Sequence, residues 1–163
     1  MINKKIKNKL GFSLLEVIIA IFIITLGLIG ILSLVVQSIQ VQYINKNNMI
    51  ASQLAQEGIE LVRNIRDNNW IDGLGWKSGI GTGFYIIDYI NGINSNISDT
   101  KLYIDGNGFY KHGLEATTSN FNRLIEITDT DNGDGIDVKS TVIWQEKNNS
   151  HSYIAETELY DWK

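Results

Sequence analysis

"GFSLLEVIIAIFIITLGLIGILSLVV", residues 11–36, decides how the rest of the chain must be read. From Val17 to Val36 it runs without a charge, long enough at helical rise to cross a hydrocarbon layer about 30 Å thick. One acidic residue, Glu16, interrupts the apolar residues at its start. Upstream, Lys4, Lys5, Lys7 and Lys9 crowd the first ten positions with no acid among them. That flank predicts an N-terminus held in the cytoplasm and everything after Val36 outside. A cleaved secretory signal fits poorly, because its apolar core runs only about 7–15 residues and ends in a small-residue cleavage site. A simple signal anchor fits the length and flanks equally well but gives no reason for Glu16.

Working outward, apolar or small residues recur at Ile44, Ala51, Leu54, Ala55, Gly58, Leu61, Val62 and Ile65, the steps that mark one face of a helix. Gln53, Gln56, Glu57, Glu60, Arg63 and Asn64 take the other face. The chain contains no proline, and no cluster of turn residues separates Val36 from Asn45. The spacing therefore predicts one helix from about Phe12 to Arg66, roughly 80 Å long at helical rise. Its first half needs lipid or other copies of itself for cover. Gly27 and Gly30 inside that half predict a bend, a melted segment or close packing, since each costs roughly 1 kcal/mol relative to alanine; glycine is also simply common in membrane helices.

Beyond Asn68 the composition turns to glycine, asparagine, aspartate and aromatics. Asp72-Gly73, Asn91-Gly92, Asp105-Gly106, Asn107-Gly108 and Asn132-Gly133 punctuate short runs of β-formers. Strands are expected at Phe84–Ile90, Lys101–Ile104, Arg123–Thr128, Val138–Gln145 and Ser152–Tyr160, the last two forming a hairpin. A sheet of about four strands would bury one face on the apolar stripe of Ile44–Ile65. The expected fold class is α+β, a long N-terminal membrane-spanning helix continuing into a small head with an antiparallel sheet packed on it.

Charge and composition exclude several functions. The 163 residues carry 14 basic and 18 acidic side chains, a net −4. Removing residues 1–11 with their four lysines leaves ten basic against 18 acidic, a net −8, which repels nucleic acid in bulk. Cysteine is absent, so there is no disulfide, thiolate nucleophile or cysteine metal site. Hydrolase, metalloprotease and phosphate-loop motifs are missing, and the expectation is a protein that is not an enzyme. His112 and His151 stand singly on predicted loop or strand edge and read as surface residues. Trp70, Trp76, Phe84 and Tyr85 read either as an exposed binding patch or as the plug of a small core.

One acidic stretch could carry chemistry. "DTDNGDGID", residues 129–137, places Asp129, Asp131, Asp134 and Asp137 among flexible residues. A Ca²⁺ ion, taking six to eight oxygens at about 2.3–2.6 Å, would cancel their repulsion. The spacing departs from the helix-loop-helix calcium loop. The same stretch also reads as a solvated turn rich in asparagine, aspartate and glycine.

The lysine-rich leader, Gly11, and the run Phe12-Ser-Leu-Leu-Glu16-Val-Ile-Ile-Ala20 resemble the processing signature of prepilins, the type IV pilin and pseudopilin superfamily. The resemblance implies cleavage after Gly11 by a prepilin peptidase, N-methylation of Phe12, and assembly through the N-terminal helices, with Phe12 and Glu16 as the assembly residues. Implied partners are other pilin subunits, the inner-membrane assembly machinery and membrane lipid before assembly, with no direct nucleic acid ligand. No cofactor is required, although some pseudopilins hold a structural calcium in the region that corresponds to residues 129–137. The chain then divides into a leader (1–11), a transmembrane and filament-core segment (12–36), an amphipathic half-helix (37–66) and a β-sheet head (67–163). The expected location is the cytoplasmic membrane, single-pass, and then a cell-surface filament. "ASQLAQEGIELVRNIRDNNW" (51–70) and "STVIWQEKNNSHSYIAETELYDWK" (140–163) are similar to the PilV-type minor pilins, through their alanine spacing, Glu57, Arg63, Trp144 and Trp162. Two family features are missing, a proline midway through the membrane helix and a C-terminal cysteine pair; Ser33 stands about where the proline would fall. A type II secretion or competence pseudopilin shares these motifs. A membrane-anchored binding domain that never polymerises is the reading from another class, and it requires no cut at Gly11.

Overall fold

The computed structural model describes residues 11, 13–113 and 117–162. One helix, α1, runs from Leu14 to Ile71. It is followed by strands β1 (Gly83–Asp88), β2 (Gly92–Asn94), β3 (Lys101–Ile104), β4 (Tyr110–His112), β5 (Thr117–Asp129), β6 (Gly135–Glu146) and β7 (Asn149–Tyr160). The fold is α+β with an antiparallel sheet. The chain divides into two compact units, 1–43 and 44–163.

In the first unit α1 carries no core: every residue from Ser13 to Tyr43 is exposed. Gly27 and Gly30 lie inside unbroken helix, and a side chain at either would meet nothing within 4 Å. Neither the melted segment nor the close packing expected of them is seen within this single chain.

In the second unit α1 supplies Ala51, Leu54, Ala55, Gly58, Ile59 and Val62, all buried, at the spacing of one helical face. Ala51, Leu54 and Ala55 pack with Leu102, Phe121, Val142 and Trp144. One turn on, Ile59 and Val62 pack with Ile80, Ile125, Ile127, Ile136, Val138 and Leu159. Burying each such leucine, isoleucine or valine stabilises the head by about 1.5–3 kcal/mol. α1 continues one turn past Arg66, because Asn69 donates to the carbonyls of Trp76 (3.1 Å) and Ser78 (2.8 Å) and so ties the next loop to the last helical turn. Gly73, at φ 70°, then ends it, with Leu74 N–H bonded to the Asn69 carbonyl at 2.8 Å.

The sheet is built on β5. One edge of β5 pairs with β6 from Phe121↔Trp144 to Asp129↔Ile136. The other edge is shared, β1 taking the Ile125–Ile127 end and β3 the Thr117–Asn122 end. β2 extends β1 and β4 extends β3. β7 pairs with β6 over its whole length. The sheet has seven strands, against the expected four. β2 and β4 are three residues each, too short for an alternating pattern, and β5 begins in the polar run Thr117–Asn120.

Candidate functional site

The N-terminal segment is where the sequence places processing and assembly. Ser13 opens the helix, its carbonyl accepting from the N–H groups of Glu16 (3.0 Å) and Val17 (3.2 Å). Glu16 is the acidic residue of the first turn, where a carboxylate meets the positive end of the helix dipole. Ser13-Leu-Leu-Glu16 has the residue types of a capping box, so Glu16 suits the helix start even before any partner is considered. Gly11 is exposed, with nothing near its α-carbon. Phe12 and the lysine-rich leader, residues 1–10, lie outside the described residues. From Leu14 the helix is long and apolar enough to cross a membrane, and that window has no cover within the chain. Leu14, Phe22, Ile29 and Leu34 are each more than 60% exposed.

The acidic stretch does not form a cage. Asp129 turns its two carboxylate oxygens to Lys77 Nζ (2.8 Å) and Thr82 Oγ1 (3.0 Å), and the bond from Lys77 holds its pKa below the usual carboxylate value, with Thr82 adding to the effect. Thr130 closes the turn by accepting from Gly135 N–H at 3.0 Å. Among the described residues no group of three or more histidine, aspartate or glutamate side chains is placed to hold a metal ion. Asp129 ends β5 and Asp137 lies within β6, with Asp131 and Asp134 in the turn between them, and a lysine neutralises the first of the four.

One of the two histidines differs from expectation. His112 is buried, not on a surface. Its Nδ1 lies 3.8 Å from Asp88 and its Nε2 3.4 Å from the Arg123 carbonyl. Burial, and then the Arg123 charge, push its pKa below the usual histidine value. Asp88 is itself buried; desolvation raises its pKa, but bonds from Asn91 N–H, the Asn91 amide and Ile90 N–H outweigh that and lower it. His151 stacks on Trp144 at 5.4 Å. Of the four aromatics, Trp70 is buried and Phe84 exposed, while Trp76 and Tyr85 pack against the core. Trp70 also donates to Asp161 at 3.1 Å and meets Trp162 edge-on at 4.3 Å.

The least expected side chain is Arg123, wholly buried in the middle of β5. It donates to the Ile87 carbonyl at 2.6 Å and the Leu54 carbonyl at 3.1 Å, and lies 3.4 Å from Glu57 of α1. The helix and β1 are thus tied to β5 through one guanidinium. Alternation along Phe121, Arg123, Ile125 and Ile127 is the signal that places it inward.

With this geometry in view, the comparison with known families is specific. Residues 6–32 match the prokaryotic N-terminal methylation motif. That motif indicates a type IV pilin-like precursor, and it implies processing by a prepilin peptidase and assembly with other pilins. The single N-terminal apolar helix agrees with membrane anchoring. The match ends well before the stretches that resemble PilV-type minor pilins. No curated protein and no solved structure matches the chain.

Proposed function

We propose that this chain is a structural, minor subunit of a type IV pilus or related filament, cut after Gly11, methylated on Phe12 and assembled through α1. The observation that carries the reading is the uncovered apolar helix from Leu14 to Val36, with Glu16 its one charge, most of it lying within the methylation-motif match at residues 6–32. An uncovered helix of that composition needs lipid first and other apolar helices later. The minor role rests on the resemblance of residues 51–70 and 140–163. The role is structural and needs no cofactor: the buried Asp88–His112 pair has the chemistry of an acid and a base but not the access a dissolved substrate needs.

Glu16 gives the mechanism. A carboxylate this near a membrane helix is costly. Cleavage after Gly11 creates a partner, the positive amine of Phe12, which in an assembling filament pairs with Glu16 of a docked subunit and neutralises both charges. Coexpression with a prepilin peptidase should yield an intact mass lacking residues 1–11. Full-length chain under conditions that process a control prepilin would overturn the reading in favour of a simple anchor. Glu16→Ala should be cleaved and inserted normally yet enter sheared filaments far less than wild type.

A further inference from the structure

β7 is an open edge. It pairs with β6 along its whole length and with no other described strand. Glu146 and Asn149 close the turn Lys147-Asn148 and form the first hydrogen-bonded pair of the hairpin. From that pair the antiparallel alternation points the N–H and C=O groups of Ser150, Ser152, Ile154, Glu156, Glu158 and Tyr160 away from β6. A row of unpaired backbone groups this long is a template for another strand. Beside it runs a groove of about 450 Å³ between β7 and the helix, lined by Gln56, Ile59, Glu60, Arg63 and Ala155. The side chains that an added strand turns inward would have room there.

The outer face of the sheet specifies the occupant. Across the strands, Glu126, Lys139 and Glu156 form one row, in which Lys139 reaches Glu156 at 3.5 Å. The next row is Thr128, Asp137 and Glu158. Here two carboxylates stand directly opposite each other, an arrangement that destabilises a strand pair, and neither forms a salt bridge among the described residues. Glu158 accepts from the Tyr160 hydroxyl, a neutral donor that leaves its charge uncompensated. The row is short of one cation, and the missing position lies on the far side of β7. Two residues before Glu156, Ile154 is about half exposed on the same face. A second copy of β7 would bring more acid to this face, so charge disfavours a homotypic pair.

We infer that the edge of β7 takes up an extended strand of another protein, one that carries lysine or arginine opposite Glu158 and an apolar residue opposite Ile154. Backbone bonds supply the affinity, and the Asp137–Glu158 row supplies the choice of partner. This docking mode uses neither Glu16 nor the exposed half of α1, so it stands or falls separately from filament assembly.

The test uses the full chain in detergent micelles and two synthetic ten-residue peptides of alternating valine and threonine, identical except for lysine or glutamate at the positions meant to face Glu156 and Glu158. The lysine peptide should bind saturably and slow amide exchange at Ile154, Glu156 and Glu158; the glutamate peptide should do neither. Glu158→Gln should weaken the lysine peptide about threefold, the size expected of one exposed ion pair. Glu156→Pro removes an outward N–H, which an edge strand tolerates, and should abolish binding while the melting midpoint stays near wild type. If exchange at those amides is unchanged, if both peptides bind alike, or if a folded Glu156→Pro chain binds as wild type does, the assignment is wrong.

Discussion

Gly58 of α1 and Ser140 of β6 face each other too closely to admit a methyl group: a β-carbon at position 58 would stand 2.7 Å from Ser140 Oγ and 2.8 Å from Ile125 Cδ1. This contact sets how near the helix lies to the sheet. Ser140 Oγ is buried with no hydrogen-bond partner, so its cost is accepted at the point of closest approach. Gly58→Val should destabilise the head by about 2–3 kcal/mol through overpacking. Gly58→Ala should cost less, because alanine regains roughly 1 kcal/mol of helix propensity. Adding Ser140→Ala to Gly58→Ala should recover part of the loss, read as a positive coupling in a double-mutant cycle of denaturant midpoints.

Arg123 predicts an asymmetry between ion-pair partners. Arg123→Met strips donors from the Ile87 and Leu54 carbonyls and leaves Asp88 buried without its neighbouring cation. The loss should be about 3–5 kcal/mol, as for a broken buried pair. Glu57→Gln should cost under about 1 kcal/mol, since Glu57 is partly exposed and solvent already screens it. Equal losses in thermal melts would show that the Glu57 contact, not the two carbonyl bonds, gives Arg123 its importance.

His112 makes stability depend on pH. Burial and Arg123 lower its folded pKa, against weaker opposing effects from the Arg123 carbonyl, Asp88 and Asp99. A base whose pKa is lower folded than unfolded binds its proton more readily in the unfolded chain, so unfolding takes up a proton in between. Stability is therefore full above the unfolded value of about 6.5 and falls as pH drops below it, by up to about 1.4 kcal/mol per pH unit. Asp88, whose folded pKa is also lowered, adds a further loss only below its own usual carboxylate value. His112→Gln should flatten the dependence between pH 6.5 and 5 while leaving the more acidic loss in place. An unchanged slope would assign the dependence to other groups.

The turn at Lys147-Asn148 holds Lys147 at φ 56°, the only positive φ outside glycine among the described residues. An L side chain in that region costs roughly 1–2 kcal/mol. Lys147→Gly should raise the melting midpoint, the relief outweighing the added freedom of the unfolded chain. A lower midpoint would mean that the lysine makes a compensating contact.

The helix face and the strand Lys101–Ile104 are legible in the sequence; the three-residue strands and the polar start of β5 are not. Apolar stripes at Ala51, Leu54, Ala55, Gly58 and Val62 fix the helix face, and Lys101–Ile104 was bounded correctly because turn residues flank it on both sides. β2 and β4 carry no pattern of their own and exist because β1 and β3 offer edges to pair with. His112 looked like a surface residue because nothing local shows that Asp88 and Arg123 close around it. The methylation-type signal was readable because local sequence alone defines it; the slot beside β7 required knowing which strand lay outermost.

The head's core joins segments far apart in sequence: Ile59 and Val62 of the helix share a cluster with Leu159 of β7, and Trp70 closes on Trp162. The order of biogenesis follows. As the chain is synthesised the helix emerges before every strand that covers it; β3, β5 and β6 cover Ala51, Leu54 and Ala55, but the cluster around Ile59 and Val62 waits for Leu159 of β7. Closure of that cluster is then the last step in completing the head's core. With no proline to isomerise and no cysteine to oxidise, none of the slow steps that those residues impose delays it once β7 has emerged.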